Sequence, residues 1–199
     1  MPKVGMQVIR RSQLINATFQ CIHRYGFAGT TIAKVSAIAG VSTGIISHYF
    51  GDKNGLLEAT MRRLLSDLAP NALDLDDSDA SPRARIVSII NRNFATEQVT
   101  PYAVTAWLAF WAQALHVPSL GRLQKINMRR LQSNLRFWLR QLMSKQEAYR
   151  VADGLAALID GLWLRGAFTL GGVEIEQARQ LCVDYFELQL ASKGQMPQR

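Results

Sequence analysis

Thr30-Thr31-Ile32-Ala33-Lys34-Val35-Ser36-Ala37-Ile38-Ala39-Gly40-Val41-Ser42-Thr43-Gly44-Ile45-Ile46-Ser47-His48-Tyr49-Phe50 reads as two short helices joined by a tight turn. Ile32, Val35 and Ile38 recur at helical spacing, which gives the first helix one apolar face. Thr30 and Thr31 precede it with hydroxyls suited to an N-cap. Gly40 falls where the turn needs a left-handed backbone, a conformation glycine adopts without a Cβ clash. Ser42 can cap the second helix. Its outer side then carries Thr43, Gly44, Ser47 and His48, while Ile45, Ile46 and Phe50 face inward. A short helix with small and polar outer residues suits a DNA major groove. An ordinary corner between two helices shares much of this pattern, so the stretch favours DNA binding without excluding that simpler reading.

The chain has 199 residues, is 48% hydrophobic and carries a net charge of +8. That is enough apolar material for one large domain or two small ones sharing a core, and it argues against a disordered regulator. No apolar run approaches the ~18 residues of a membrane span. Met1-Pro2-Lys3-Val4-Gly5-Met6 lacks the apolar block of a signal peptide. Cys21 and Cys182 lie far apart with no CxxC or Cys/His cluster, which reads as buried thiols of a reduced compartment. A cytoplasmic protein without metal, cofactor or membrane partner is expected.

The positive charge favours a polyanionic partner, and it is unevenly spread. Residues 1–60 hold Lys3, Arg10, Arg11, Arg24, Lys34 and Lys53 against Asp52 and Glu58. A second basic zone runs from Arg122 to Arg150, with Glu147 as its one acid. Arg122, Lys125, Arg129, Arg136 and Arg140 fall near one helical face, opposite Leu123, Ile126, Leu131, Leu135 and Leu142. A solvated face of a long helix is the preferred reading, ahead of a second anion-binding strip.

Helical periodicity runs through almost every segment and none shows sustained alternation, so the expected fold is all-α with about nine helices. The first runs from Gln7 to Tyr25 and ends at Gly26, with Leu14, Ala17, Thr18, Cys21 and Ile22 as its inner stripe. After the two short helices, one spans Lys53 to about Ala72. Asp74-Leu75-Asp76-Asp77-Ser78-Asp79-Ala80 is a linker whose aspartates would repel phosphates, so it should point away from DNA. Ser81-Pro82 and Thr100-Pro101 each pair a cap with proline at the first helical position, opening helices to about Gln98 and to His116. The remaining helices are read as Ser119 to about Ser144, Glu147 to Leu170, and Glu174 to Ser192 after a break at Gly171-Gly172. The domains are placed at residues 1–52 for DNA binding and 53–199 for ligand binding and dimerisation.

Val41 to Phe50, followed by Lys53 and Leu56 and preceded by Gly26-Phe27, Thr30-Thr31-Ile32 and Ile38-Ala39-Gly40, resembles the signature of the TetR family of repressors. The likeness covers about residues 9–57. It implies an all-helical homodimer on double-stranded operator DNA, with an N-terminal three-helix DNA-binding domain and a C-terminal helical domain for a small-molecule inducer. DNA contacts are then expected from Ser42, Thr43, Gly44, Ser47, His48 and Tyr49, with Thr31 and Lys53 anchoring phosphates. Ser47 stands where many members carry tyrosine, a departure from the family pattern that puts the phosphate contact usually made there in question; His48 or Tyr49 can take it over.

The second half resembles the BetI subgroup of that family. The likeness rests on Met1 to Met6, Ser42 to Tyr49, Thr105-Ala106-Trp107-Leu108-Ala109-Phe110-Trp111 and Gly154 to Ala167. Those repressors control glycine betaine synthesis genes and respond to choline, so the resemblance implies choline or a related cation as inducer. A quaternary ammonium offers no N–H, so ring faces and a carboxylate must recognise it, each ring contributing ~0.5–2 kcal/mol. Trp107, Phe110 and Trp111 can line one wall of a pocket. Asp160 and Trp163 can face a common space from another helix, with Glu97 a second candidate counter-charge. The alternative is that the aromatic residues are core and Asp160 is a paired or capping group.

Three classes of function compete on these residues. An enzyme would need a nucleophile–base pair, a metal cluster or a phosphate loop; His23, His48 and His116 sit on separate elements, so no enzyme is expected. A non-specific architectural DNA binder would not need the apolar domain of residues 101–190. The ligand-responsive repressor is preferred. Dimerisation is expected through the last two helices, with Leu155, Leu158, Ile159, Leu162 and Phe168 on one and Leu181, Val183, Phe186, Leu188 and Leu190 on the other. The helix from Lys53 to Ala72 is the expected lever between ligand and DNA.

Overall fold

The computed structural model describes residues 4–68 and 80–192. Among the described residues the structure is all-α, with nine α-helices, one 3₁₀ turn and no strand. The helices are α1 (Val4–Gly29), α2 (Ile32–Ala39), α3 (Thr43–Phe50), α4 (Lys53–Ser66), α5 (Pro82–Asn93), α6 (Pro101–Ala114), α7 (Pro118–Leu139), α8 (Lys145–Ala167) and α9 (Ile175–Ala191). The 3₁₀ turn is Thr96–Gln98. α4 ends at Ser66 with Asp67 as its C-cap, short of the expected Ala72; the aspartates of the linker lie outside the described residues. No helix among the described residues is long and apolar enough to cross a membrane.

The helix ends follow local chemistry. Thr31 caps α2, its hydroxyl accepting from the Lys34 amide at 3.3 Å. Thr30 is buried and donates instead to the Gly26 carbonyl at 2.8 Å. Regular helix breaks at Gly26, and one further turn runs to Gly29. Gly40 has φ 65° and ψ 38°, the left-handed conformation that closes α2. Ser81 and Thr100 cap α5 and α6, each followed by proline.

Three expectations are corrected. Ser42 precedes α3, but its hydroxyl makes no capping bond. α5 stops at Asn93, not Gln98, because Phe94 turns into the core with no exposed surface. α8 begins at Lys145, where Ser144 and Glu147 form a reciprocal capping box: the Ser144 amide donates to Glu147 Oε2 at 3.0 Å.

The chain divides into two compact units, residues 1–67 with 100–125, and residues 68–99 with 126–199. In the first, α1 packs against α2, α4 and α6, and α4 also touches α3 and α6. Leu14, Ala17, Cys21, Val35, Ala39, Ile46 and Leu56 make its buried cluster. Gly55 sets the closeness of the α3–α4 turn, since a Cβ there would overlap the Phe50 carbonyl. In the second unit α9 packs on α8 and α5. A Cβ at Gly154 would overlap the Tyr185 hydroxyl, so the missing side chain lets α8 and α9 approach. Arg179 ties α9 to the end of α5, donating to the Phe94 carbonyl at 3.0 Å. Cys182 is a buried free thiol whose burial pushes its pKa up to about 12.

Candidate functional site

Successive turns of α3 place Thr43, Gly44, Ser47 and His48 on one exposed face. Ser42 and Thr31 are exposed beside them, while Tyr49 and Lys53 are half-buried. A Cβ at Gly44 would meet nothing within 4 Å, so this glycine answers to no neighbour in the chain. The Tyr49 ring lies edge-on to His48 at 5.1 Å and tilted against Phe50 at 6.5 Å. Ile46 is the fully buried residue of the opposite face. The outer surface therefore offers hydroxyls, an imidazole and a phenol with no bulk at its N-terminal end, a combination that can read base edges and phosphates.

Two side chains of α1 hold the ends of the motif, and the sequence reading counted one of them only as charge. Arg11 Nη1 donates to the Tyr49 carbonyl at 2.6 Å, and its guanidinium lies 4.5 Å from the centre of the Phe50 ring. Gln13 Nε2 donates to the Ala39 carbonyl at 2.7 Å. Lys34 donates to the Gly29 carbonyl at 2.9 Å and lies 4.2 Å from the Tyr25 ring centre.

The residues of the expected ligand pocket divide between the two units. Trp107, Phe110 and Trp111 stand on α6 in the first. Trp107 is central, with ring centroids 5.8 Å from Phe110 and 6.0 Å from Trp111. Phe110 has no exposed surface and Trp107 only 4%, whereas Trp111 is half-buried. α6 also touches α1 directly: His23 Nδ1 is 3.2 Å from Thr105 Oγ1, and its ring lies edge-on to Tyr102 at 4.8 Å.

Asp160, Trp163 and Glu97 belong to the second unit. Trp163 is buried, while Asp160 is exposed on the side of α8 that carries Ala157, Gly161 and Leu164. Neighbouring protein atoms nonetheless desolvate the Asp160 carboxyl enough to raise its pKa. Glu97 is exposed on the 3₁₀ turn, not on a helix as the sequence had it.

Of the expected dimer residues, Leu155, Ile159 and Phe186 are fully buried within the chain and have no surface left for a partner. Phe168, Leu181 and Leu188 are 76%, 44% and 65% exposed, and Leu164, which the sequence reading passed over, is 41% exposed. On α7, Ile126 is exposed with the basic residues instead of opposite them. Arg136 is drawn out of the strip by Asp153 at 2.7 Å.

Comparison with known proteins places these features in a context. A family model described as bacterial regulatory proteins of the tetR family matches residues 14–60. A second, described as the C-terminal region of BetI-type transcriptional repressors, matches residues 82–191. The HTH-type transcriptional regulator BetI of Pseudomonas aeruginosa strain PAO1 is 51% identical over 196 residues, covering 98% of this chain and 100% of that one. Among solved structures, a transcriptional regulator of Pseudomonas aeruginosa PAO1 superposes with a TM-score of 0.76 at 29% identity, covering 92% of this chain and 91% of the other. A regulator from Saccharomonospora viridis, solved in complex with choline, superposes with a TM-score of 0.72 over 90% of this chain and 96% of its own. Its 22% identity carries the fold alone.

Proposed function

The chain belongs to the TetR family of DNA-binding repressors, with a C-terminal domain of BetI type, and we propose that it controls genes converting choline to glycine betaine. On this reading it binds operator DNA in the cytoplasm as a homodimer and leaves it when choline or a related quaternary ammonium compound binds. The observation that carries the proposal is the aromatic group on α6. Trp107 packs against both Phe110 and Trp111 in a chain whose C-terminal region matches the BetI type. A permanent cation without N–H groups is held by ring faces, and Trp111 is half-buried with Trp107 beside it. Asp160 is the proposed counter-charge, Trp163 a further ring and Glu97 the second carboxylate; each enters the proposal from the sequence and is to be tested by substitution. The Saccharomonospora viridis regulator, which shares this fold, was solved with choline bound.

The DNA side of the proposal assigns base contacts to Thr43, Gly44, Ser47, His48 and Tyr49, and phosphate contacts to Thr31, Ser42 and Lys53. Two such short helices, one from each copy, would read two half-sites. The apolar surface for pairing is Leu164 on α8 and Phe168 just past its end, with Leu181 and Leu188 on α9, all exposed in the single chain. The decisive experiment is calorimetry of the purified protein with choline, paired with choline-driven release of the DNA it selects. Absence of both heat and release would leave a TetR-type repressor of another regulon.

A further inference from the structure

α3 has eight residues, too few to hold its own shape in water. Its N-terminal end lacks a side-chain cap, because the Ser42 hydroxyl bonds to none of the first amides. Its inner face has one fully buried side chain, Ile46. What fixes the helix is concentrated at the C-terminal end, where carbonyls lack partners within the helix. There the Gly51 amide donates to the Ser47 carbonyl at 2.9 Å, and Arg11 reaches in from α1 to the Tyr49 carbonyl at 2.6 Å. The Arg11 bond is charge-assisted, and the positive charge sits at the negative end of the helix dipole. The same guanidinium lies 4.5 Å from the Phe50 ring centre, so it grips two consecutive residues. Gln13, two residues further along α1, holds the end of α2 through Ala39, and Arg10 orients Gln13 by donating to its Oε1 at 2.8 Å.

We propose that Arg11 is a positioning residue for sequence reading: it sets the rotation of α3 against α1 and touches no DNA itself. The proposal rests on α3 being the helix that reads bases. Base-edge contacts depend on side chains arriving within hydrogen-bond reach, whereas phosphate contacts from flexible side chains tolerate a small rotation. Losing Arg11 should therefore cost discrimination and spare non-specific binding. A direct phosphate contact would behave in the opposite way, lowering both affinities and the salt dependence.

The test uses the full chain, a duplex that the wild-type protein enriches from a random library, and a random duplex of equal length. Arg11→Met is expected to weaken the enriched duplex by about tenfold, with little change on the random duplex or in salt slope. Arg11→Lys, which keeps the charge and one donor, should recover part of the loss. A salt slope lowered by about one on both duplexes would make Arg11 a phosphate ligand and overturn the proposal. Equal losses on both duplexes with a lowered melting temperature would overturn it too, since Arg11 would then serve stability alone. Amide exchange in the unbound Arg11→Lys protein gives a second readout. Faster exchange confined to Ser47–Phe50 is expected, and exchange equal to wild type counts against the idea. If the wild-type protein fails to distinguish the duplexes, the premise about α3 falls before any variant is made, and the proposal with it.

Discussion

His23 on α1 and Thr105 on α6 are joined by a hydrogen bond of 3.2 Å across 82 positions of sequence. The Thr105 hydroxyl also has the Pro101 carbonyl within donating distance at 2.7 Å, and which of Thr105 Oγ1 and His23 Nδ1 donates follows from the imidazole tautomer. The contact joins the helix that carries Trp107, Phe110 and Trp111 to the helix that holds α2 and α3 through Gln13 and Arg11. α4, the lever expected from the sequence, touches α6 as well, so α6 has two routes to the DNA-reading motif.

If the α1 route carries the signal, Thr105→Val should separate choline response from DNA affinity. Its affinity for operator without choline is expected to stay within about twofold of wild type, because the site is remote from DNA and partly exposed. The factor by which choline lowers that affinity should shrink toward one from a typical coupling of about 5–150-fold. Fluorescence anisotropy with and without choline measures both. A wild-type response in Thr105→Val would assign the coupling to α4.

Two helical glycines eleven residues apart should answer oppositely to the same substitution. Gly44→Ala adds a methyl in open space and gains helix propensity, so the melting temperature should hold or rise by the equivalent of up to about 1 kcal/mol. On the proposed reading its operator affinity should nonetheless fall, because the methyl would stand between α3 and the bases. Gly55→Ala drives a methyl into the Phe50 carbonyl and should destabilise the protein by about 1–3 kcal/mol. Thermal melts and DNA titrations of the two proteins decide it; full operator affinity in Gly44→Ala would remove that residue from the interface.

Lys53 opens α4 just past α3, and in the role proposed for it a flexible cation supplies charge to phosphates without sequence information. Lys53→Ala should weaken all duplexes alike and lower the salt slope by about one. An altered base preference at constant salt slope would show that the role is misassigned.

Local signals were legible and distant partnerships were not. Gly40, Thr31, Ser81-Pro82 and Thr100-Pro101 act within four residues of themselves, so the sequence is enough to place the turns and caps they make. Ser144 and Glu147 were equally local, yet the apolar residues on both sides made the break between α7 and α8 read as a later one. Phe94 ends α5 by turning into a core that only tertiary packing defines. Arg11 finds its acceptor 38 positions away and His23 its partner 82 away, separations at which a basic residue in a helix reads merely as charge. The pattern of apolar residues on α8 and α9 foretold surplus hydrophobic surface, but not that Leu155, Ile159 and Phe186 are used inside the chain while Leu181 and Leu188 remain outside.

That division makes a prediction about assembly. Leu188 is 65% exposed, so Leu188→Arg places a charge in the exposed apolar surface of α9 and the fold should survive. Paired across a two-fold axis, the charge would face apolar surface or its own copy, and dimerisation should weaken by at least about tenfold. Light scattering at micromolar concentration reports the change. A dimer as tight as wild type would move the interface elsewhere.

Asp160 provides a pH test of the ligand reading. Desolvation raises its carboxyl above the ordinary aspartate value, so between that value and the raised one the folded chain keeps a proton that the unfolded chain has lost. Rising pH therefore destabilises the fold across this window, and above it the loss is complete. Asp160→Asn removes the titrating group while keeping its shape, so without choline the variant should melt at or above the wild-type temperature at neutral pH. Choline should reverse the ranking. A bound quaternary ammonium favours the carboxylate, so wild-type affinity should fall as pH drops through the raised pKa, by at most about tenfold per unit. The Asn variant should bind choline weakly and with a flat pH profile, while still binding operator. If Asp160→Asn is released from operator by the same choline concentration as wild type, the carboxylate is not the counter-charge, and Glu97→Gln becomes the substitution to make.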